Sequence, residues 1–194
     1  MEVNRILVII VIVALNIIRW RYQTRYHFSG REVIRRTKQA REWILVLMVV
    51  GSYAIPCLLW LFTDLVDFAF AFHSSALMWS GFALSVLSTL GYAWVHQTLG
   101  DNWSPVLEIR KDHELVTRGP YRGVRHPMYL SIWLGVVGMN LMMGNYLFMI
   151  SSVLSTLILC FVRIPEEEKL MLDHFGESYR QYGLSTKRLI PLLY

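Results

Sequence analysis

Apolar residues fall into five blocks along the chain, separated by polar stretches of unequal length. The blocks run approximately over 3–20, 43–62, 75–96, 128–143 and 145–164. Each is nearly free of charge and approaches the roughly 20 residues a helix needs to cross a bilayer. The first is short for a span and contains Asn16, and the second is interrupted by Pro56. A proline kinks such a helix, and neighbouring helices absorb the freed carbonyl. Between the fourth and fifth blocks, Gly144 and Asn145 leave room only for a tight helical hairpin. The pattern predicts an all-α integral membrane protein with about five transmembrane helices, a polar loop after the third and a helix near the C-terminus.

The polar stretches orient it. Arg19, Arg21, Arg25, Arg31, Arg35, Arg36, Lys38 and Arg41 lie between the first two blocks. Arg110, Lys111, Arg118, Arg122 and Arg125 lie between the third and fourth. Lys169, Arg180, Lys187 and Arg188 follow the fifth, with Arg163 at its edge, whereas the 63–73 loop carries Asp64 and Asp67 and no Lys or Arg. Basic residues accumulate on the cytoplasmic side. A five-span arrangement with the N-terminus outside and the C-terminus inside leaves Arg5 as the one Lys or Arg on the outer side. The chain divides into residues 1–97, with the basic segment 19–42, and residues 98–194, with the hairpin 128–164. Segment 21–42 reads as an interfacial amphipathic helix or loop whose arginines hold anionic headgroups. The first block precedes its basic cluster and shows no small-residue cleavage site, so it reads as a retained helix rather than a signal peptide.

Composition sharpens this picture. Of 194 residues, 55% are hydrophobic and only 17% charged, where a soluble domain carries about a quarter charged. The net charge of +5 has no soluble basic face to serve, so no nucleic-acid partner is expected. Cys57 and Cys160 sit inside apolar blocks and read as small buried side chains. His96 and His113 lack a third ligand at metal spacing, so no metal is expected. There is no recognisable nucleophile motif and no Gly-rich phosphate loop after a strand.

Candidate chemistry concentrates in two places. The first is LGDNWSPVLEIRKDHELVTRGPYRGVRHPMY, Leu99–Tyr129. A connector between two spans does not need so long a run of Gly, Pro, His and Arg, and long loops of this kind are usually functional. Gly119-Pro120 marks a turn. Pro127 suits the first position of the fourth helix, which puts His126 at its cap and Tyr129 in its first turn. The second is RIPEEEKLMLDHFGESYRQYG, Arg163–Gly183. If the helix continues through Pro165, Arg163 and Glu167 share a face. Taken singly, Arg163 also reads as a snorkelling side chain. The glutamates 166–168 also read as a solvated face, and Tyr121 and Tyr129 as interfacial aromatics.

Together, LVTRGPYRGVRHPMY (Leu115–Tyr129), the hydrophobic hairpin, R-x-x-x-E-E-x-L from Arg163 to Leu170, and FGESYRQY (Phe175–Tyr182) resemble the isoprenylcysteine carboxyl methyltransferase family. The resemblance covers the C-terminal half, and the first two spans share only their hydrophobicity. It implies S-adenosylmethionine-dependent methyl transfer at the cytoplasmic membrane face, with S-adenosylhomocysteine as product and a lipidic substrate entering from the bilayer. Carried over residue by residue, it implies cofactor contacts at His113, Glu114, Leu115, Val116, Tyr121, His126, Pro127, Met128, Tyr129 and Glu167, and a catalytic Arg163 serving the substrate carboxylate. The chemistry agrees. An ionised carboxylate needs no general base, only positioning and desolvation, and an arginine fork suits it. Three alternatives remain: methylation of a phospholipid amine, a membrane reductase with a nicotinamide cofactor, and a non-enzymatic membrane scaffold.

Overall fold

In the computed structural model, residues 2–36, 39–70 and 74–190 are described. Lys38 and residues 71–73, which belong to two of the loops that orient the chain, lie outside them. Helix α1 spans Glu2–Phe28, α2 Gln39–Phe62, α3 Ser75–Leu99, α4 Pro127–Met143, α5 Tyr146–Phe175 and α6 Glu177–Ser185. Two short strands, β1 (Val33–Arg36) and β2 (Glu108–Arg110), pair antiparallel. Four helices, α1, α2, α3 and α5, are long and apolar enough to cross a membrane, and α4 is a shorter apolar helix. The five apolar blocks are these five helices, and the protein is an all-α integral membrane protein.

Two boundaries differ from the sequence expectation. Helix α1 continues past Trp20 to Phe28. Asn16 turns its amide onto the Ile12 carbonyl at 2.8 Å, and Thr24 caps Trp20 in the same way at 2.8 Å. Local side-chain bonds of this kind satisfy polar groups without breaking the helix. Segment 21–42 is therefore not one interfacial element. It comprises the last turns of α1, the strand β1 and the start of α2. Five of its arginines pair with carboxylates of the chain itself: Arg25 and Arg31 with Asp101, Arg35 with Asp173, Arg36 with Glu108 and Arg41 with Glu166. Likewise α5 runs unbroken through Pro165 to Phe175, so the acidic cluster lies on the helix rather than beyond it.

The tightest seam joins α3 to α4. Apolar side chains gain little by leaving lipid for one another, so membrane helices associate through close backbone approach at small residues. Gly81, Ser85, Ser88 and Gly91 on α3 meet Gly138, Gly135 and Ser131 on α4. A Cβ at Gly81 would stand 2.6 Å from the Gly138 carbonyl oxygen, and one at Gly91 2.9 Å from Ser131 Oγ. Ser88 adds a hydrogen bond to the Ser131 carbonyl at 2.7 Å. Gly144, in the left-handed region at φ 56°, ends α4, and the Asn145 side chain accepts from Phe148 N to start α5. The Asn145 amide also donates to the Val66 carbonyl at 2.9 Å, tying the hairpin tip to the α2–α3 connection.

At the opposite end, the 100–126 segment folds over the helix ends. Gly119 sits at φ 60°, and a Cβ there would come within 2.9 Å of Thr98 Oγ1. Arg125 and His126 donate backbone N–H bonds to the Lys187 and Arg188 carbonyls at 2.8 and 3.0 Å. Cys57 is buried in an apolar cluster with Trp60, Phe148 and Met142, and Cys160 is partly buried; both are free thiols.

Because the α3–α4 contact is made of backbone, it cannot yield to a larger side chain. Gly138→Leu is expected to cost on the order of 1–3 kcal/mol or more, the usual range for overpacking, and to lower the thermal unfolding midpoint in detergent. Gly30→Ala, which meets no atom within 4 Å and sits at φ 57°, is expected to cost less, about the strain of one left-handed alanine.

Candidate active site

A cavity of about 220 Å³ opens where the polar ends of the helices meet the 100–126 segment. One water needs roughly 10–15 Å³ of such space, so the cavity is sized for organic molecules. Its walls differ by direction. Toward the helices it is lined by Val46, Val49 and Val50 of α2, Tyr92 of α3, Ile132 of α4 and Leu159 of α5. Toward the loop it is lined by Asn102 to Glu108, His113 to Val116, Tyr121, Arg125 and His126, with Tyr179 and Tyr182 of α6. Arg163 and Glu167 of α5 line it between the two.

The residues singled out in the sequence converge here. His113, Glu114, Leu115, Val116, Tyr121, His126, Met128, Tyr129, Arg163 and Glu167 all face this cavity. Pro127 does not; it is buried as the first residue of α4, behind His126 at the N-cap. Backbone contacts shape the loop. His113 N–H closes a turn on the Arg110 carbonyl at 3.1 Å, Asp112 adopts φ 60°, and Glu114 N–H donates to Asn102 Oδ1 at 3.1 Å. Tyr182 fastens the second turn by donating its hydroxyl to the Tyr121 carbonyl at 2.7 Å.

The three consecutive glutamates are now distinguishable. Glu166 is paired with Arg41. Glu168 is clasped by Arg125 Nε at 2.9 Å, Arg188 at 2.6 Å and His126 Nε2 at 3.3 Å. Arg125 also donates to the Gly183 and Thr186 carbonyls, so Glu168 anchors the C-terminal segment against the start of α4. Glu167 remains. It accepts from the Tyr129 hydroxyl at 3.0 Å, has His126 Nδ1 at 3.8 Å, and leaves a third of its side chain open to the cavity.

Arg163 meets a carboxylate that the sequence did not single out. Its Nε lies 3.2 Å from Oε2 of Glu42, which is fully buried at the start of α2. The contact is an ion pair without hydrogen-bond geometry, and no nitrogen of Arg163 makes a hydrogen bond to a described residue. Arg19, counted in the sequence as one member of a basic loop, lines the cavity from α1. Glu108 is buried as well, held by Tyr26 at 2.7 Å and by Arg36 at 2.7 Å. An acidic residue at the head of an apolar block was the only local signal for Glu42, and nothing local pointed to its partner.

Burial shifts the titration of groups in the loop. The His113 imidazole is pushed down to about 4, chiefly by burial, with the positive charges of His174, Arg31 and Arg110 adding to it. Its Nδ1 has no hydrogen-bond partner among the described residues. Burial, reinforced by the nearby Glu167 carboxylate, lifts the Tyr121 phenol well above its usual range. Burial also pushes Tyr182 up to about 12.

The neutral state of His113 has a pH signature. With a folded value near 4 against an ordinary 6.5, the unfolded chain binds a proton in that window that the folded chain refuses. This contribution to stability is complete above 6.5 and is lost as pH falls toward 4. In His113→Asn, thermal midpoints in detergent are expected to depend less on pH between 6.5 and 4. An unaltered dependence would show that His113 protonates freely in the folded protein.

Comparison with known proteins adds a family likeness to this geometry. Residues 81–173 match the sequence model of the isoprenylcysteine carboxyl methyltransferase family. A protein-S-isoprenylcysteine O-methyltransferase of Schizosaccharomyces pombe is 33% identical over 125 residues, 58% of this chain and 52% of that protein. The protein of the same name from Saccharomyces cerevisiae is 29% identical over 151 residues, 75% of this chain and 63% of that protein. The chain thus spans between about half and two thirds of the length of these curated relatives. The solved structure of a eukaryotic intramembrane Ras methyltransferase, an isoprenylcysteine carboxyl methyltransferase, shares the fold. Its TM-score is 0.56 at 23% identity, covering 81% of this chain and 54% of that one. Residues 81–173, which supply much of the cavity wall, are thus similar to the isoprenylcysteine carboxyl methyltransferase family.

Proposed function

We propose that the protein is an integral membrane, S-adenosylmethionine-dependent methyltransferase that esterifies the carboxylate of a lipidic, isoprenylcysteine-like substrate. The observation that carries this reading is one cavity with two unlike walls. An apolar wall formed by α2, α4 and α5 meets a polar wall in which Glu167 and Arg163, one turn apart on α5, both face the cavity without pairing with each other. The family match over residues 81–173 favours this reading over a phospholipid amine methyltransferase or a nicotinamide-dependent reductase.

The residues fit the implied cofactor. Glu167 faces the cavity with part of its carboxylate open, suited to an ammonium group. The unpartnered Nδ1 of His113 offers a hydrogen bond, and Leu115 and Val116 offer apolar walls to an adenine. When bound, S-adenosylmethionine supplies an electrophilic methyl group on a sulfonium.

The chain then has three tasks. Arg163 holds the substrate carboxylate through its Nη donors, where a planar fork is worth more than a point charge. The carboxylate is ionised at neutral pH, so no side chain has to remove a proton. Tyr179, Tyr182 and the 113–121 turn close the polar side against water, which strengthens the attraction between carboxylate and sulfonium. The lipid tail lies along Val46, Val49, Ile132 and Leu159, reached from the bilayer. The basic loops support a cavity at the cytoplasmic face, with the N-terminus outside and the C-terminus inside.

Two substitutions are expected to separate the roles. Glu167→Ala should weaken S-adenosylhomocysteine binding in calorimetry by roughly 1–3 kcal/mol, the scale of one charged partner. Arg163→Ala should leave that affinity nearly intact yet lower turnover of an S-prenylated N-acylcysteine by on the order of a hundredfold, through lost alignment. Arg163→Lys should recover only part of it. Full activity in Arg163→Ala would overturn the assignment.

Sidedness is checked separately. In a background without Cys57 and Cys160, cysteines placed at Asp67 and Ser185 are expected to react with an impermeant maleimide from opposite sides of sealed, oriented vesicles. Labelling of both from one side would rule out five spans.

A further inference from the structure

Arg163 and Glu167 stand four residues apart on α5, the spacing at which an arginine and a glutamate on one helix ordinarily pair. Here they do not. Arg163 is instead paired with Glu42, across from α2, at 3.2 Å. Glu42 has no exposed surface. It lies in the first turn of α2, where the helix dipole favours a negative charge. Burying a carboxylate costs several kcal/mol of lost hydration unless a cation answers it. A snorkelling arginine would require no such partner.

We propose that Glu42 is a positioning residue: it holds Arg163 by its Nε edge, away from Glu167, so that the Nη1–Nη2 end of the guanidinium receives the substrate carboxylate while Glu167 stays open for the cofactor. A guanidinium presents two bidentate edges, the Nε side and the Nη end. Glu42 sits at the first. The contact is an ion pair in which Nε is the nearest nitrogen, no Nη hydrogen-bonds a described residue, and Arg163 lines the cavity. Glu42 itself is absent from the cavity wall, so it acts through Arg163 and does not touch a ligand. On the other face of Glu167, Tyr129 and His126 complete the separation. The inference rests on the methyltransferase reading of the cavity.

Removing the charge of Glu42 frees Arg163 to fold onto Glu167. The test is a double-mutant cycle on the full-length, detergent-purified protein, titrated with S-adenosylhomocysteine. Glu42→Gln is expected to weaken binding roughly tenfold or more, the scale of a charged hydrogen bond. Arg163→Ala is expected to change it little. In Glu42→Gln/Arg163→Ala the affinity is expected to return to that of Arg163→Ala. Equal losses from Glu42→Gln with and without Arg163 would show general structural support and overturn the proposal, as would unchanged affinity in Glu42→Gln.

If the unsubstituted protein binds no S-adenosylhomocysteine, the functional reading fails, and thermal unfolding of the same four proteins decides the pairing. Arg163→Ala strands a buried charge, so adding Glu42→Gln should raise its unfolding midpoint. No such rise would overturn the pairing on its own.

Discussion

The structure depends on carboxylates placed where water is scarce. At the polar end of the bundle, Glu42 and Glu108 are buried, and the Glu168 side chain is only 16% exposed. An uncompensated charge in such a place is untenable, so each dictates where a cation must come. Glu42 brings α5 to α2 through Arg163. Glu108 brings β1 and the end of α1 to β2 through Arg36, Arg110 and Tyr26. Glu168 brings the 125–126 corner and the C-terminal segment to α5 through Arg125, His126 and Arg188. A buried ion pair is weak evidence for stability, because desolvation offsets most of its attraction. What these pairs supply is registry, since any other arrangement would strand a charge.

The apolar end follows another rule. Lipid rewards no apolar contact over another, so helix proximity there is decided by shape. The small residues of α3 and α4 let two backbones touch, and Ser88 and Ser131 hydrogen-bond across the seam. Asn4, Asn140 and Asn145 find partners in neighbouring helices or loops. The result is a rigid α3–α4 unit with the 100–126 segment strung between its polar ends. That segment has little regular structure, and it is ordered by backbone bonds to the C-terminal segment and by Tyr182. A loop that supplies most of the polar wall is thereby fixed by elements on both sides of it in sequence.

These two rules meet in the cavity. Its apolar wall is the ordinary lipid-compatible surface of α2, α4 and α5, and its polar wall is built from groups whose charges are mostly spent on one another. Glu166 and Glu168 are consumed by arginines. Glu167, one residue from each, is not, because a single helical step of about 100° turns it from the protein toward the open space. The basic segment after α1 is spent in the same manner on Asp101, Glu108, Glu166 and Asp173. Most of its arginines thus take part in intramolecular pairs that the sequence alone did not indicate.

By itself, the sequence determined the features that depend on neighbouring residues. The apolar blocks became five apolar helices, four of them long enough to cross a membrane, because hydrophobic length is a local property. His126 became the N-cap and Pro127 the first residue of α4, and Gly144 and Asn145 the tight turn before α5, because such features are settled within a turn. The motif-bearing stretches 113–129 and 163–167 were legible for the same reason. Tertiary structure decided what depends on partners distant in the chain. These include the pairing of β1 with β2, the choice of Glu167 among three adjacent glutamates, and the seating of Arg163 on Glu42. Arg41 meets Glu166 across 125 positions, and no local pattern encodes such a meeting. Which charges remain free at the cavity is the remainder after every buried charge has found its partner, a balance that exists only once the helices are packed.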